Sequence, residues 1–226
     1  MNRCVSALSI VLLALTGCSS EDKSIGLIVD GDSLAVYTVT FTGTWSATTH
    51  PLDFPSNAHF SGLIGATHND NVVFWRPGQL ASPGIQDMAE RGRKSPLSEE
   101  VDTAISAGAA RFKLSGDGID ISPGAVSLEF TISAEHPLVS LVSMIAPSPD
   151  WFVGVADLPL QSGNLWVDSI TVDLYGWDAG SDDGVTFTSA DAPSIPHVPI
   201  FPLTDGLFKV GDTVPVLGTF TFIRQQ

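Results

Sequence analysis

From residue 37 onward the chain is dominated by positions that alternate between apolar and polar. Tyr37, Val39 and Phe41 are interleaved with Thr38, Thr40 and Thr42, the period-two pattern of a strand with one buried face. Val126, Leu128, Phe130 and Ile132 alternate in the same way with Ser127, Glu129 and Thr131. Residues 138–145 are more continuously apolar and predict a strand covered on both faces. Residues 151–155, 166–175 and 217–223 complete the set of predicted strands, with clusters of Gly, Pro, Asn and Asp supplying the turns between them. Helix is confined to two short stretches. Residues 84–91 bring Ile85, Met88 and Ala89 to one side and are closed by Gly92. Residues 96–105 open on an acidic turn, which suits a helix dipole, and space Leu97, Val101 and Ile105 at near-helical intervals. The stretch from Pro193 to Pro202 is too rich in proline for a central strand and predicts an ordered loop along a sheet edge. Short antiparallel strands with little helix and no internal repeat indicate an all-β fold, a β-sandwich.

The first residues follow a different pattern. A short basic start, Met1-Asn2-Arg3, precedes an apolar run at residues 5–15 that is too short to span a bilayer comfortably. Leu15-Thr16-Gly17-Cys18 follows, and resembles a bacterial lipobox. That resemblance implies a lipoprotein signal peptide at residues 1–17, removal of that peptide, and acylation of Cys18 as the first mature residue. Residues 18–24 would then be lipid anchor and polar tether, and residues 25–226 a single domain. Each buried methylene of an acyl chain contributes roughly 0.8 kcal/mol, so several chains on one cysteine hold a soluble domain at a membrane. Ser19 is not the aspartate that retains many such proteins at the inner membrane, so outer-membrane sorting is expected for a Gram-negative source.

Cysteine use follows directly. Cys4 lies in the removed signal and Cys18 carries lipid, leaving no pair for a disulfide although the compartment permits one. The net charge of −15 argues against a nucleic-acid partner and suits divalent cations or basic partners. The basic residues Arg91, Arg93 and Lys94 stand next to Glu99, Glu100 and Asp102, as on a solvated face.

One stretch concentrates candidate chemistry. Residues 176–184, Gly-Trp-Asp-Ala-Gly-Ser-Asp-Asp-Gly, carry Asp178, Asp182 and Asp183 among three glycines. On residue chemistry alone this serves equally as an acidic turn or as part of a cation site. It is not an EF-hand: counted from Asp178, the glycine position holds Asp183 and the closing glutamate position holds Ser189. Calcium takes six to eight oxygen ligands at roughly 2.3–2.6 Å, more than one such loop supplies, so a second loop is needed. Asp150 ends a loop ahead of a predicted strand, and Gly180 and Gly184 are expected to take positive φ and turn carbonyls toward an ion. His50, His59 and His68, with Asp53 and Asp70 nearby, are residue types that suit zinc, but no HExxH or other compact ligand spacing occurs. The chain has no GxSxG elbow, P-loop or dinucleotide fingerprint. Its five tryptophans are expected in the core rather than on a sugar-binding face.

A series of motifs resembles the spondin N-terminal domain family. Pro147-Ser148-Pro149-Asp150-Trp151-Phe152-Val153-Gly154-Val155 is similar to one of its signatures, and residues 173–184 to a second. Phe41-Thr42-Gly43-Thr44-Trp45-Ser46, His50-Pro51, His59-Phe60-Ser61, Ile64-Gly65-Ala66-Thr67-His68, Ala81-Ser82-Pro83-Gly84 and Ser194-Ile195-Pro196 fall in the family's order. Gly176 stands where animal members usually carry proline, and the thrombospondin repeats and extra cysteines of those members are absent. The resemblance implies a C2-like antiparallel β-sandwich with one or two short helices in its connections and calcium among its loops. It assigns the ion to Asp150, Asp178 and Asp182, with Asp173 second in rank and Asp183 facing solvent. It assigns the histidines to framework positions. The function implied is a non-enzymatic, calcium-binding adhesion or ligand-binding module, here lipid-anchored on the bacterial envelope, with an unknown protein or glycan ligand. The competing readings are a zinc-dependent envelope hydrolase using the His50, His59 and His68 region, and a purely structural envelope protein.

Overall fold

The computed structural model describes residues 33–225. The expected signal peptide at 1–17, the anchor and tether at 18–24 and the lipidation residue Cys18 lie outside them. Among the described residues thirteen strands occur in chain order: β1 (Leu34–Gly43), β2 (His59–Phe60), β3 (Ile64–His68), β4 (Ala110–Ser115), β5 (Gly124–Ser133), β6 (Leu138–Ala146), β7 (Trp151–Pro159), β8 (Gln161–Ser162), β9 (Leu165–Trp166), β10 (Ser169–Leu174), β11 (Trp177–Asp178), β12 (Phe201–Pro202) and β13 (Gly218–Arg224). Two helices, α1 (Pro83–Arg91) and α2 (Leu97–Ser106), and a 3-10 turn at Gly206–Phe208 complete the set. The fold is an all-β antiparallel sandwich. One sheet runs β10-β13-β1-β5, and the other runs β12-β11-β7-β6-β3-β4 with β2 paired to β6.

Alternation decides which side chains meet. β1 sends Tyr37, Val39 and Phe41 inward against Phe220 and Phe222 of β13 and Phe130 and Ile132 of β5. β6 and β7 serve two cores at once, as the continuous apolar run at 138–145 predicts. Val139, Leu141 and Ile145 of β6, with Trp151, Val153 and Val155 of β7, face the space between the sheets. Val142, Met144 and Phe152 face the other way, onto α1 and α2, so the helices form a third layer with its own core. Fully burying such a side chain contributes roughly 1.5–3 kcal/mol.

Both helices keep their predicted limits to within a residue or so. Ser82 caps α1 by accepting the Ile85 N–H, Pro83 starts it, and Gly92 ends it in the left-handed region at φ 64°. Glu100 of α2 accepts the Gly84 N–H and the Ser82 hydroxyl, both at 2.7 Å, and so joins the two helices. Ala104 rather than Ile105 is the buried residue of the last turn of α2. The predicted strand at 166–175 is broken. Leu165–Trp166 pairs back onto β8, and β10 begins only at Ser169. The break lies where the Val167 carbonyl accepts the Tyr37 hydroxyl and the Asp168 carbonyl accepts the Arg224 N–H.

The sandwich has two distinct ends. Ser33 and the start of β1 lie beside Ser133, Leu160 and Val167. Ten residues later β1 leaves the sheet at Gly43, and Trp45 packs there on Phe54, Phe60 and Phe187. Among the described residues no helix is long and apolar enough to cross a membrane.

Candidate metal centre

The two loops proposed from sequence meet at the Trp45 end of the sandwich. β11 pairs with the start of β7, with Asp178 opposite Trp151 and Trp177 opposite Phe152, which brings Asp178 beside Asp150. Trp151 is fixed from below by Phe187 and Phe208, with ring centroids at 5.2 and 5.0 Å. From that position its indole Nε1–H donates to Asp178 Oδ2 at 3.0 Å. Asp150 Oδ2 accepts three hydrogen bonds from the acidic loop: Ser181 N–H at 2.7 Å, Asp182 N–H at 3.1 Å and the Ser181 hydroxyl at 3.2 Å. Asp182 in turn accepts the Gly184 N–H at 2.7 Å and the Ala192 N–H at 2.8 Å.

The loop geometry depends on its glycines in different ways. Gly180 has φ 74°, as expected, and a Cβ there would stand 2.1 Å from the Val198 carbonyl oxygen. Gly184 does not take the positive φ expected of it. Its missing side chain instead makes room for Pro149 of the other loop, whose Cγ would lie 2.6 Å from a Cβ.

Asp150, Asp178 and Asp182 are all buried, and none forms an ion pair among the described residues. Asp150 is wholly buried, and its Oδ1 has no hydrogen-bond partner. Burial pushes the carboxyl of Asp178 up to about 7, with the neighbouring Asp150 charge adding to the effect. Burial likewise raises Asp150, against the hydrogen bonds from Ser181 and Asp182. Uncompensated buried carboxylates are costly unless a proton or a cation neutralises them. No set of three or more His, Cys, Asp or Glu side chains among the described residues is disposed to hold a metal ion by itself. Most of the carboxylate oxygens here already accept protein donors, so an ion would draw further oxygens from loop carbonyls and water. The orphaned Asp150 oxygen, beside carboxylates that form no ion pair among the described residues, is chemistry that a hard divalent ion would suit.

Asp173 does not join this group. It is exposed on β10, in the other sheet, opposite Thr219 of β13. Asp183 faces solvent, where it accepts the Ser194 hydroxyl. The three histidines are not brought together either. His50 is buried beside Thr49 and Phe208, His59 donates to the Asn57 carbonyl from β2, and His68 is buried at the end of β3. His68 Nδ1 donates to the Asn69 carbonyl at 2.8 Å, so its Nε2 accepts the Ser140 hydroxyl at 2.9 Å. Burial lowers the affinity of His50 and of His68 for a proton. Asp53 and Asp70 are exposed.

Three contributors escape sequence reasoning. Ser181 and Trp151 hold the carboxylates, and the strip from Ala192 to Val198 backs the acidic loop through Asp183 N–H to Ala192, Ser194 N–H to Ser181 and Val198 N–H to Gly180. All three lie in stretches the sequence singles out, Trp151 beside Asp150, Ser181 in the acidic loop and the strip in the proline-rich edge segment, but nothing local to them shows these contacts.

The Spondin_N family matches residues 35–209. Human Spondin-2 is 38% identical over 202 residues, which are 88% of this chain and 61% of that protein. Rat Spondin-2 is 33% identical over 229 residues, covering 95% of this chain and 69% of that protein. Rat Spondin-1 is 38% identical over 176 residues, 75% of this chain but only 22% of that protein.

Proposed function

The chain belongs to the Spondin_N family, and from that premise we propose that it is a non-enzymatic extracellular adhesion or ligand-binding module built around a calcium ion. The observation that carries the calcium reading is the buried Asp150–Asp178 pair, with an unpartnered Asp150 oxygen and no cationic side chain paired to it among the described residues. Asp150, Asp178 and Asp182 would hold the ion. Its contribution would be positive charge that neutralises the buried carboxylates and ties the loop before β7 to the acidic loop. An affinity at the weak extracellular end of the calcium range, on the order of 10⁻⁴ M, suits a site completed by carbonyls and water. We place the protein on the bacterial envelope, held in the outer membrane by acyl chains on Cys18, with a protein or glycan ligand.

The test is thermal unfolding of the chain from Ser19 to Gln226 in calcium and in chelator. Every described element lies after Ser33, so this chain keeps all the contacts reported above. An ion that binds only the folded state stabilises it by about 2.7 kcal/mol at a hundredfold excess over Kd. A calcium-dependent rise in Tm, lost in Asp150→Asn, is the expected result. Identical melts in calcium and chelator would remove the reading.

A further inference from the structure

We propose that the hollow between residues 54–59 and 119–122 binds the ring of a neutral pyranose sugar, so that a glycan partner is read beside β2 and not at the acidic edge. The proposal takes up the glycan arm of the function proposed above and is independent of the calcium reading.

Two chain segments build the hollow, and hydrogen bonds lock them together. Phe60 and Ile119 each donate an N–H to the other's carbonyl, at 2.9 and 3.0 Å, and the Ser122 N–H donates to the Ala58 carbonyl at 2.9 Å. The buried Ser122 hydroxyl donates to the Trp45 carbonyl at 2.7 Å, and Phe54 packs on the Trp45 ring with centroids 5.3 Å apart. The walls are therefore tied to the core before any ligand arrives, and a preformed site spares the cost of ordering loops on binding. The space between them is about 360 Å³, within the range of small-molecule sites. It shares no lining residue with the hollow beside Asp178 and Asp182.

The lining offers two kinds of surface. Phe54 and Ile121 are apolar, and Ile121 is 77% exposed. Asn57, His59 and Asp120 are polar. His59 Nδ1 donates to the Asn57 carbonyl at 2.7 Å, which fixes the tautomer and leaves the Nε2 lone pair to accept. The exposed Asp120 carboxylate is a second acceptor, and the Asn57 amide both donates and accepts. A pyranose ring matches this mixture, with hydroxyl donors around its rim and a C–H face to lie on Phe54 or Ile121. A wholly apolar ligand would strip water from Asp120 and return no hydrogen bond. A small ammonium would leave the Ile121 side uncovered. Charge narrows the class of sugar. No Lys or Arg lines the hollow, Asp120 stands in it, and the chain carries a net charge of −15, so uronic acids, sialic acids and sugar phosphates are repelled.

The test is perturbation of the amide NMR signals of the Ser19–Gln226 chain by the methyl pyranosides of glucose, galactose, mannose and N-acetylglucosamine, in calcium and in chelator. At least one should bind with a Kd on the order of 1 mM and move signals of residues 54–59 and 119–122, equally in both buffers. Methyl glucuronide and lysine amide should leave those signals in place. Asp120→Ala should weaken the binding at least about tenfold and Ile121→Ser at least about threefold, with Tm unchanged because both side chains are exposed. A silent panel of neutral pyranosides would overturn the proposal. So would binding of lysine amide in their place, which would assign the hollow to an ammonium, or equal binding of the glucuronide. Sugar shifts that need calcium would move the site to the acidic edge, and unchanged affinity in Asp120→Ala would remove the carboxylate from it; either result overturns the proposal. The calcium reading is decided separately by Tm. A calcium-dependent melt with a silent panel removes only the sugar site, and sugar binding with identical melts removes only the ion.

Discussion

Asp150 Oδ2 accepts the Ser181 N–H at 2.7 Å across 31 positions of sequence, and this bond joins the loop before β7 to the acidic loop. The same carboxylate leaves Oδ1 buried and without a partner, so one side of the group is saturated and the other is open. Asparagine is isosteric, keeps an acceptor for the loop donors and presents an amide toward the Asp178 carboxylate. Asp150→Asn should therefore raise stability in chelator by on the order of 1 kcal/mol while abolishing the calcium increment. Chemical denaturation in both buffers checks the two halves separately.

The response to pH has a sign that follows from burial. In chelator, folded Asp178 holds its proton up to about 7, whereas the free carboxyl releases it near 3.8. Its contribution to stability is then full below the lower value and lost as pH rises through the upper one. His50 and His68 act in the opposite sense: their proton affinity is lowered on folding, so their contribution is present above 6.5 and is lost as pH falls below it. The histidines titrate alike with and without the ion, whereas the ion competes with the proton on Asp178. The calcium increment in Tm should accordingly be larger at about pH 8 than at about pH 6.

Gly180 and Gly163 both have positive φ, at 74° and 60°, but only Gly180 is crowded. Gly163→Ala meets nothing within 4 Å and should cost about 1 kcal/mol, the backbone strain alone. Gly180→Ala adds a collision with the Val198 carbonyl and should cost at least about 2 kcal/mol, together with much of the calcium increment. Paired denaturant titrations give the difference.

Phe187 lies under the site, touching Trp45, Trp151 and Phe208 with ring centroids 5.1, 5.2 and 5.7 Å away. Phe187→Ala should destabilise by about 3–5 kcal/mol through the cavity it leaves. It should also weaken calcium binding, because Trp151 loses the packing that aims its indole N–H at Asp178. Titration calorimetry on the folded variant separates this from the loss of stability.

Cys18→Ala should release the protein from the membrane fraction of expressing cells, with the acidic edge unaffected. Fractionation with and without detergent checks it, and continued membrane retention in the absence of calcium would count against the anchor.

The legible part of the fold was the part with one wet face or none. β1 and β5 announce themselves because threonine, serine and glutamate alternate with aromatic and aliphatic residues, and β6 because it is apolar throughout. β3 was not predicted as a strand. Its residues, Ile-Gly-Ala-Thr-His, are all buried and have neither alternation nor bulk, and its position is set by pairing to β6 and β4. β4 was hidden because Arg111 and Lys113 flank Phe112 in a partly buried strand. The site follows the same division. The family motifs point to the three aspartates, yet their convergence depends on the pairing with β7 of β11, a strand of two residues with no periodicity to read. Asp173 was misplaced for a related reason: its residue type suits calcium, and only the sheet it joins shows that it points elsewhere.

β1 also separates the place where the chain joins the sandwich from the place where the acidic loops gather. Ten residues at about 3.3 Å each put roughly 33 Å between them. Were the domain held by its N-terminal segment, as proposed, it would act as a strut with its acidic tip at the free end, meeting whatever lies across the gap before its flanks do.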